Sequence, residues 1–430
     1  MEVTDLGALS ADRRNRLLNR DAGITEITDD VADIIDAVRE DGDAALRRFA
    51  REFDDVDKDH LEITDRLPAA RDAVDPRVEA AIEAAAANIR AFHESQVPTD
   101  QVQDIDGRRL GQRFRPIDRV GVYVPGGDAA YPSSALMGVI PAVVAGVEEV
   151  VVATPPATDP DPATLTAIDV AGADAVYGVG GAQAVAALAY GTDTIAPVEK
   201  IVGPGNRWVT AAKAAVRNDV AIDFLAGPSE ILVIADDTAT PAYVAADLIA
   251  QAEHDPNASA VAVLTDDSTA AAVTEAVEDQ LPDRDRADVA RTALGRPASG
   301  VFTAADRGEA AAFAEAYAPE HLAVQTRDPD DIVDRVPSAG SVFVGETTPV
   351  AAGDYATGPN HVLPTGGGAR VTGGLSVDTF LRATTVQRVD RDALASLREP
   401  VTTLAREEGL EAHAASIDVR FDDEGTHHQD

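Results

Sequence analysis

From about residue 118 to 345 the chain repeats one unit: a short β-rich run that ends in glycine or proline, then an alanine-rich stretch of helical length. The β-rich runs are RVGVYV at 119–124, EVVVAT at 149–154, DAVYGV at 174–179, KIVG at 200–203 and AIDFLA at 221–226. They continue with EILVIAD at 230–236, AVAVLT at 260–265, SGVFTA at 299–304, LAVQT at 322–326 and GSVFVG at 340–345. Helices fit 133–146, 182–190, 206–217, 241–254, 268–280 and 306–317. Strand–helix alternation of this kind predicts parallel sheets covered by helices. Ten strands are many for one sheet, so the reading is an α/β fold of two Rossmann-like parallel-sheet domains, divided near 226–230.

The flanks differ. Residues 1–100 read as a helical layer, with apolar residues at helical spacing around 29–52 and 75–95. Asp29 or Asp30 would cap the first of these helices and Asp75 the second. After about 375, short helical segments run to 415, and DDEGTHHQD at 422–430 reads as a disordered tail. The expected division is therefore a helical region at 1–100, a dinucleotide-binding α/β domain at 101–226, a catalytic α/β domain at 227–375 and a C-terminal extension at 376–430.

Composition limits the partners. The formal net charge is −39, and the acids are spread along the whole chain. Such a chain repels a phosphate backbone, which argues against nucleic acid. A mimic of an acidic ligand would also carry this charge, but an evenly acidic surface suits high salt, where screening weakens self-repulsion. There is no cysteine, so a metal site here would use His, carboxylate or amide ligands. No apolar run is long enough to span a bilayer, and MEVTDLGALSADRRNRLL does not have the pattern of a secretory signal. A cytoplasmic location is expected.

Three glycine-containing loops follow strands: PGGDAAYPSS at 125–134, VGGAQA at 179–184 and GPGN at 203–206. Glycine lets a backbone approach a ligand, and a helix N-terminus offers free N–H groups. The loops fall at C-terminal strand ends, where open α/β sheets bind ligands. Neither GxGxxG nor a Walker A sequence is present, so the spacing indicates a cleft without naming its occupant.

Chemistry-bearing residues cluster further on. Gln251 and His254, three apart, would share a helical face and form a metal half-site. Asp354 and His361 stand in the turn-rich loop GDYATGPNHVLP at 353–364, and His413 follows Glu408 by five residues. Spacing alone does not show that these converge. Glu320–His321, in APEHL before the strand LAVQT, puts a potential base and a carboxylate at a sheet edge. A surface dipeptide is equally compatible. His60, His93, His427 and His428 have no partner motif and are given no role.

Taken together, AGPSE…QAEH at 226–254, GVYVPGG, GGAQA, GPGN, APEHL, GDYATGPNHVLPT and EGLEAH at 408–413 resemble the histidinol dehydrogenase family, over nearly the whole chain. The resemblance implies NAD-dependent oxidation of L-histidinol to L-histidine through L-histidinal, with one Zn2+ per subunit. It implies that Gln251, His254, Asp354 and His413 hold zinc and, with Ser229, His321, His361 and Glu408, bind the substrate. It implies that His321 is the general base, that Glu320 activates water, and that Tyr123, Gln183 and Asn206 bind NAD. It also implies a homodimer in which Glu408 and His413 complete the partner's site. Trp208, beside GPGN, departs from what other members often carry, which leaves the packing of that loop open, and the extreme acidity points to a salt-adapted source. Two other readings are a related zinc- and NAD-dependent dehydrogenase of another small amino or sulfonated alcohol, and a non-enzymatic ligand-binding module. The second would have lost at least one of the implied residues, and all are present.

Overall fold

The structure, a computed structural model, describes residues 2–20, 23–126 and 130–421. The chain divides into two compact units: Met1–Val97 with Ile117–Phe380, and Pro98–Pro116 with Leu381–Asp430. The tail expected at 422–430, with His427 and His428, lies outside the described residues, as does part of the loop at 125–134.

The strands are β1 (Val3–Asp5), β2 (Gln101–Ile105), β3 (Arg108–Pro116), β4 (Arg119–Tyr123), β5 (Glu149–Thr154), β6 (Ala175–Gly178) and β7 (Lys200–Val202). They continue with β8 (Ala221–Ile222), β9 (Glu230–Ala235), β10 (Ser259–Leu264), β11 (Gly300–Thr303), β12 (His321–Gln325), β13 (Ser341–Val344) and β14 (Leu381–Val389). The first unit holds two parallel sheets. One runs β6-β5-β4-β7-β8 and the other β1-β11-β10-β9-β12-β13. Setting β1 aside and counting strands within each half, both sheets have the order 3-2-1-4-5 of a doubly wound, Rossmann-like sheet. The two halves therefore share a topology that no sequence repeat betrays.

The central strands are apolar without alternation because helices cover both faces. β9 and β10 are buried at every position. The helix Pro132–Ala145 is apolar nearly all round and is correspondingly buried; it starts on Pro132 and stops at Gly146 in the left-handed region.

All ten expected strands are present, and four further strands were not legible. β1 belongs to the second sheet, paired with β11, so the N-terminal region is not helical throughout. β2, β3 and β14 form an antiparallel sheet in the second unit. Residues 101–116 thus do not open the first α/β domain, and the segment after 375 contains a nine-residue strand before its helices, Arg391–Glu407 and Glu411–Asp418. None of these three strands has a buried residue, and β3 carries arginines on both faces, so no buried apolar face marks them.

The helix expected around 29–52 is two, Thr28–Asp41 and Asp43–Phe53, broken at Gly42 (φ +54°). Asp75 caps its helix through the Arg77 N–H (2.8 Å), whereas Asp29 and Asp30 lie inside the first turn of theirs, which has no side-chain cap. The strand expected over 221–226 stops at Ile222; beyond it the Asp223 carboxylate accepts the Gly203 and Phe224 N–H groups and pairs with buried Lys213. The helix expected over 241–254 ends at Ala252, since Pro256 disfavours helical geometry at Asp255.

The chain has only three lysines, and each is engaged. Lys58 donates to the carbonyls of Ala157 and Thr158, Lys200 to Thr379, and Lys213 to Gly203 while pairing with Asp223.

One buried carboxylate outside the site invites a test. Asp247 is 7% exposed and accepts from Gln325 Nε2 (3.0 Å), yet burial raises its pKa to about 6. A raised folded pKa means that its stabilising contribution is present below the unfolded value and lost as pH rises through about 6. Asp247→Asn should therefore raise stability at pH 8 by about 1–3 kcal/mol and change it little at pH 4. Thermal unfolding in high salt at both pH values checks this, and a gain at pH 4 alone would contradict it.

Candidate active site

Catalytic carboxylates and histidines in open α/β sheets usually stand at C-terminal strand ends. Here Glu320 and His321 stand at the N-terminal end of β12, beside the N-terminal end of β9. Both side chains are buried, at 6% and 3% exposure. The Glu320 carboxylate accepts from Ser229 Oγ (2.8 Å) and from the Glu230 N–H (2.7 Å). The His321 ring bonds through Nδ1 to the Glu230 carbonyl (2.9 Å), which places the proton on Nδ1. Among the described residues its Nε2 has no well-formed hydrogen bond; it lies 3.4 Å from Asp354 Oδ1. The backbone under the pair is tight: a Cβ on Gly340 would meet the Glu320 carbonyl oxygen at 2.6 Å.

Asp354 closes the short helix Val350–Tyr355. Phe343 fixes that helix relative to the pair, its ring 5.9 Å from that of His321. His361 turns back toward Asp354, with Nδ1 2.7 Å from the Asp354 carbonyl and Nε2 3.5 Å from Ser134 Oγ. Burial alone would raise the Asp354 pKa, but His321, His361 and His254 surround it and hold it below the ordinary value. Burial pushes Glu320 up. Burial would lower His321, but the facing charges of Glu320 and Asp354 outweigh it and push the ring up.

Gln251 is 2% exposed, and neither polar atom of its amide has a partner among the described residues. An unsatisfied buried amide calls for a ligand that the protein itself does not supply. His254 lies past the end of the helix rather than on a shared face, and its Nδ1 approaches the Gln251 carbonyl (3.3 Å). The first unit thus brings Gln251, His254, Asp354, His361, Glu320, His321 and Ser229 toward one region. Among the described residues no three His, Asp or Glu side chains gather as a metal site by themselves. Glu408 and His413 belong to the second unit, where both are exposed, one capping Arg391–Glu407 and the other in Glu411–Asp418.

The described parts of the glycine loops lie at the C-terminal ends of strands in the first sheet. Tyr123 ends β4, and its hydroxyl accepts the Gly181 N–H (3.1 Å) at the start of Gly181–Tyr190, the helix that carries buried Gln183. Asn206 caps Arg207–Val216 through its side-chain oxygen, accepting from Trp208 and Val209, which leaves its amide NH2 for a ligand. Gly203, at φ +111°, has its Cα directly against the Tyr123 carbonyl, a packing only glycine permits.

Sequence reasoning missed three residues that touch this site. Ser134 meets His361, Glu230 holds both members of the Glu–His pair, and Arg20 holds Glu230. Ser134 and Glu230 lie inside segments already singled out, although nothing marked their roles. Arg20 is 210 residues from its partner, so no local pattern could reveal it.

A family model, "Histidinol dehydrogenase", matches residues 18–421. A histidinol dehydrogenase of Halobacterium salinarum is 64% identical over 99% of this chain and 100% of its own length. One of Haloarcula marismortui is 61% identical over 98% and 100%. The crystal structure of histidinol dehydrogenase from Elizabethkingia anophelis superposes with a TM-score of 0.92 at 36% identity, covering 96% of each chain. With these relatives, the two doubly wound sheets and the buried Glu–His pair at the start of an interior strand define an α/β oxidoreductase. More narrowly, the chain belongs to the histidinol dehydrogenase family, whose role is in histidine biosynthesis. Nothing among these relatives points to another small amino or sulfonated alcohol.

Proposed function

We propose that this site carries out both oxidations, L-histidinol to L-histidinal and L-histidinal to L-histidine, with NAD as the oxidant and one zinc ion per subunit. The observation that carries the reading is the Glu320–His321 pair, with one ring nitrogen of His321 tied to the Glu230 carbonyl and the other directed into the site. His321 Nε2 takes the hydroxyl proton of the alcohol as the carbon is oxidised. Glu320, held by Ser229 and the Glu230 N–H, takes a proton from the water that adds to the aldehyde. His321 then takes a hydroxyl proton from the hydrated aldehyde in the second oxidation.

Tyr123, Gln183 and Asn206 would hold NAD, which accepts the hydride in each step. Gln251, His254 and Asp354, with the partner protomer supplying His413, would hold zinc, which orients the substrate rather than generating hydroxide. The unsatisfied Gln251 amide supports a cation at this point. So does the field on His321: base action needs the neutral ring, and a cation shared by Asp354 would weaken the charge that keeps the ring protonated. Ser229 and Glu408 would contact the substrate, with His361 lining the pocket. Large apolar residues exposed on the second unit, among them Val102, Val386, Leu404 and Leu410, support a homodimer in which Glu408 and His413 complete the partner's site. The acidic surface fits a salt-rich cytoplasm, as do the similar haloarchaeal enzymes.

Metal analysis combined with NADH formation from L-histidinol and from L-histidinal, in high salt and after sedimentation, tests the reading. The expected result is two NADH per L-histidinol, about one zinc per chain and activity confined to the dimer. An active monomer would refute the shared site, and absence of turnover with L-histidinol would refute the whole assignment.

A further inference from the structure

We propose that Arg20 and Glu230 are positioning residues whose buried ion pair locks residue 230 so that its backbone N–H and carbonyl hold Glu320 and His321; this rests on the roles given to that pair above. The starting observation is how residue 230 spends its backbone. The β9–β12 ladder begins at Ile231. One residue earlier, where the sheet would continue, the Glu230 N–H goes to the Glu320 carboxylate and the Glu230 carbonyl to His321 Nδ1. The two peptide units that flank one Cα therefore set the carboxylate and the ring proton together.

The side chain of the same residue fixes where those two peptide units sit. Arg20 and Glu230 are 6% and 2% exposed and form a two-point pair, Nε to Oε1 at 2.7 Å and Nη2 to Oε2 at 2.9 Å. Arg20 also donates to the Leu17 carbonyl (2.8 Å) and the Tyr317 carbonyl (2.9 Å), and its guanidinium lies 3.6 Å from the centre of the Tyr317 ring. Tyr317 ends the helix that leads through Ala318 and Pro319 into Glu320. Glu230 Oε1 further accepts the Gly366 N–H (2.8 Å), in the stretch just beyond His361, and the neighbouring Thr365 accepts from Gly227 (2.5 Å). Arg20 thus ties together the start of β9 and the approach to Glu320, and Glu230 adds the segment that follows His361. A buried ion pair adds little net stability over a well-packed apolar pair, but its directional bonds permit one geometry.

The test uses Glu230→Gln, Arg20→Gln and the double variant in the full-length enzyme, each checked for fold by circular dichroism and for metal content. In protein with ring-15N-labelled histidine, the Nδ1–H resonance of His321 is identified by its absence in His321→Asn. The expected result is that this slowly exchanging resonance broadens or disappears in every variant. Meanwhile kcat with L-histidinol falls about 10–100-fold and KM changes less than about threefold. Should a single variant fail to fold because it strands a buried charge, the double variant strands none and is expected to show the same two losses. Folded variants with an unchanged resonance, whether or not kcat falls, would overturn the proposal. An altered resonance with undiminished kcat would leave the positioning in place and remove instead the base role of His321.

Discussion

His321→Asn should lower kcat for both oxidations by about 10²–10⁴-fold while zinc content and fold remain as in the parent enzyme. The asparagine amide nitrogen falls close to where Nδ1 stood, so the bond to the Glu230 carbonyl can persist. What is deleted is Nε2, the atom that faces Asp354 and to which the base role is assigned in the proposed mechanism. Loss of a positioned base costs this much when nothing else in reach can take the proton. KM for L-histidinol should change little if the ring acts chiefly in the transition state. Steady-state NADH formation and metal analysis on the same preparation decide it: activity within tenfold of the parent would remove His321 from the base role.

Glu320→Gln should separate the two oxidations. The glutamine carbonyl can still accept from Ser229 and the Glu230 N–H, so the local frame survives, but the amide cannot take a proton from water. Histidinal oxidation should fall by about 10²–10³-fold and the alcohol step by at most about tenfold. Single-turnover NADH formation, started from each substrate separately, reads the two steps. Equal losses would mean that Glu320 serves the pair as a whole and not the hydration of the aldehyde.

The strand–helix alternation was legible because buried parallel strands must be apolar on both faces, and all ten of those runs are strands. What escaped is where burial does not dictate sequence. β3 and β14 pair over nine positions, yet arginine, threonine and glutamine occupy both faces. Gly42 breaks a helix through a positive φ that periodicity does not register. For the site, spacing could suggest Gln251 and His254 as a half-site but placed them wrongly on one helical face. The gathering of Asp354, His361 and His321 is created by chain reversals after 345, and Arg20 reaches residue 230 only through the second sheet's packing. Family resemblance supplied the roles of these residues; the structure supplied the backbone that holds them.

The engagement of all three lysines has a practical consequence. Among the described side chains no ammonium is fully exposed, whereas carboxylates cover the surface. Amine-directed crosslinkers and dyes would find few reactive handles here, and a weak result with them would say nothing about association. Assembly in this chain is better mapped through its carboxylates, by activating an acid on one protomer and capturing it with a dihydrazide that bridges to an acid on the next.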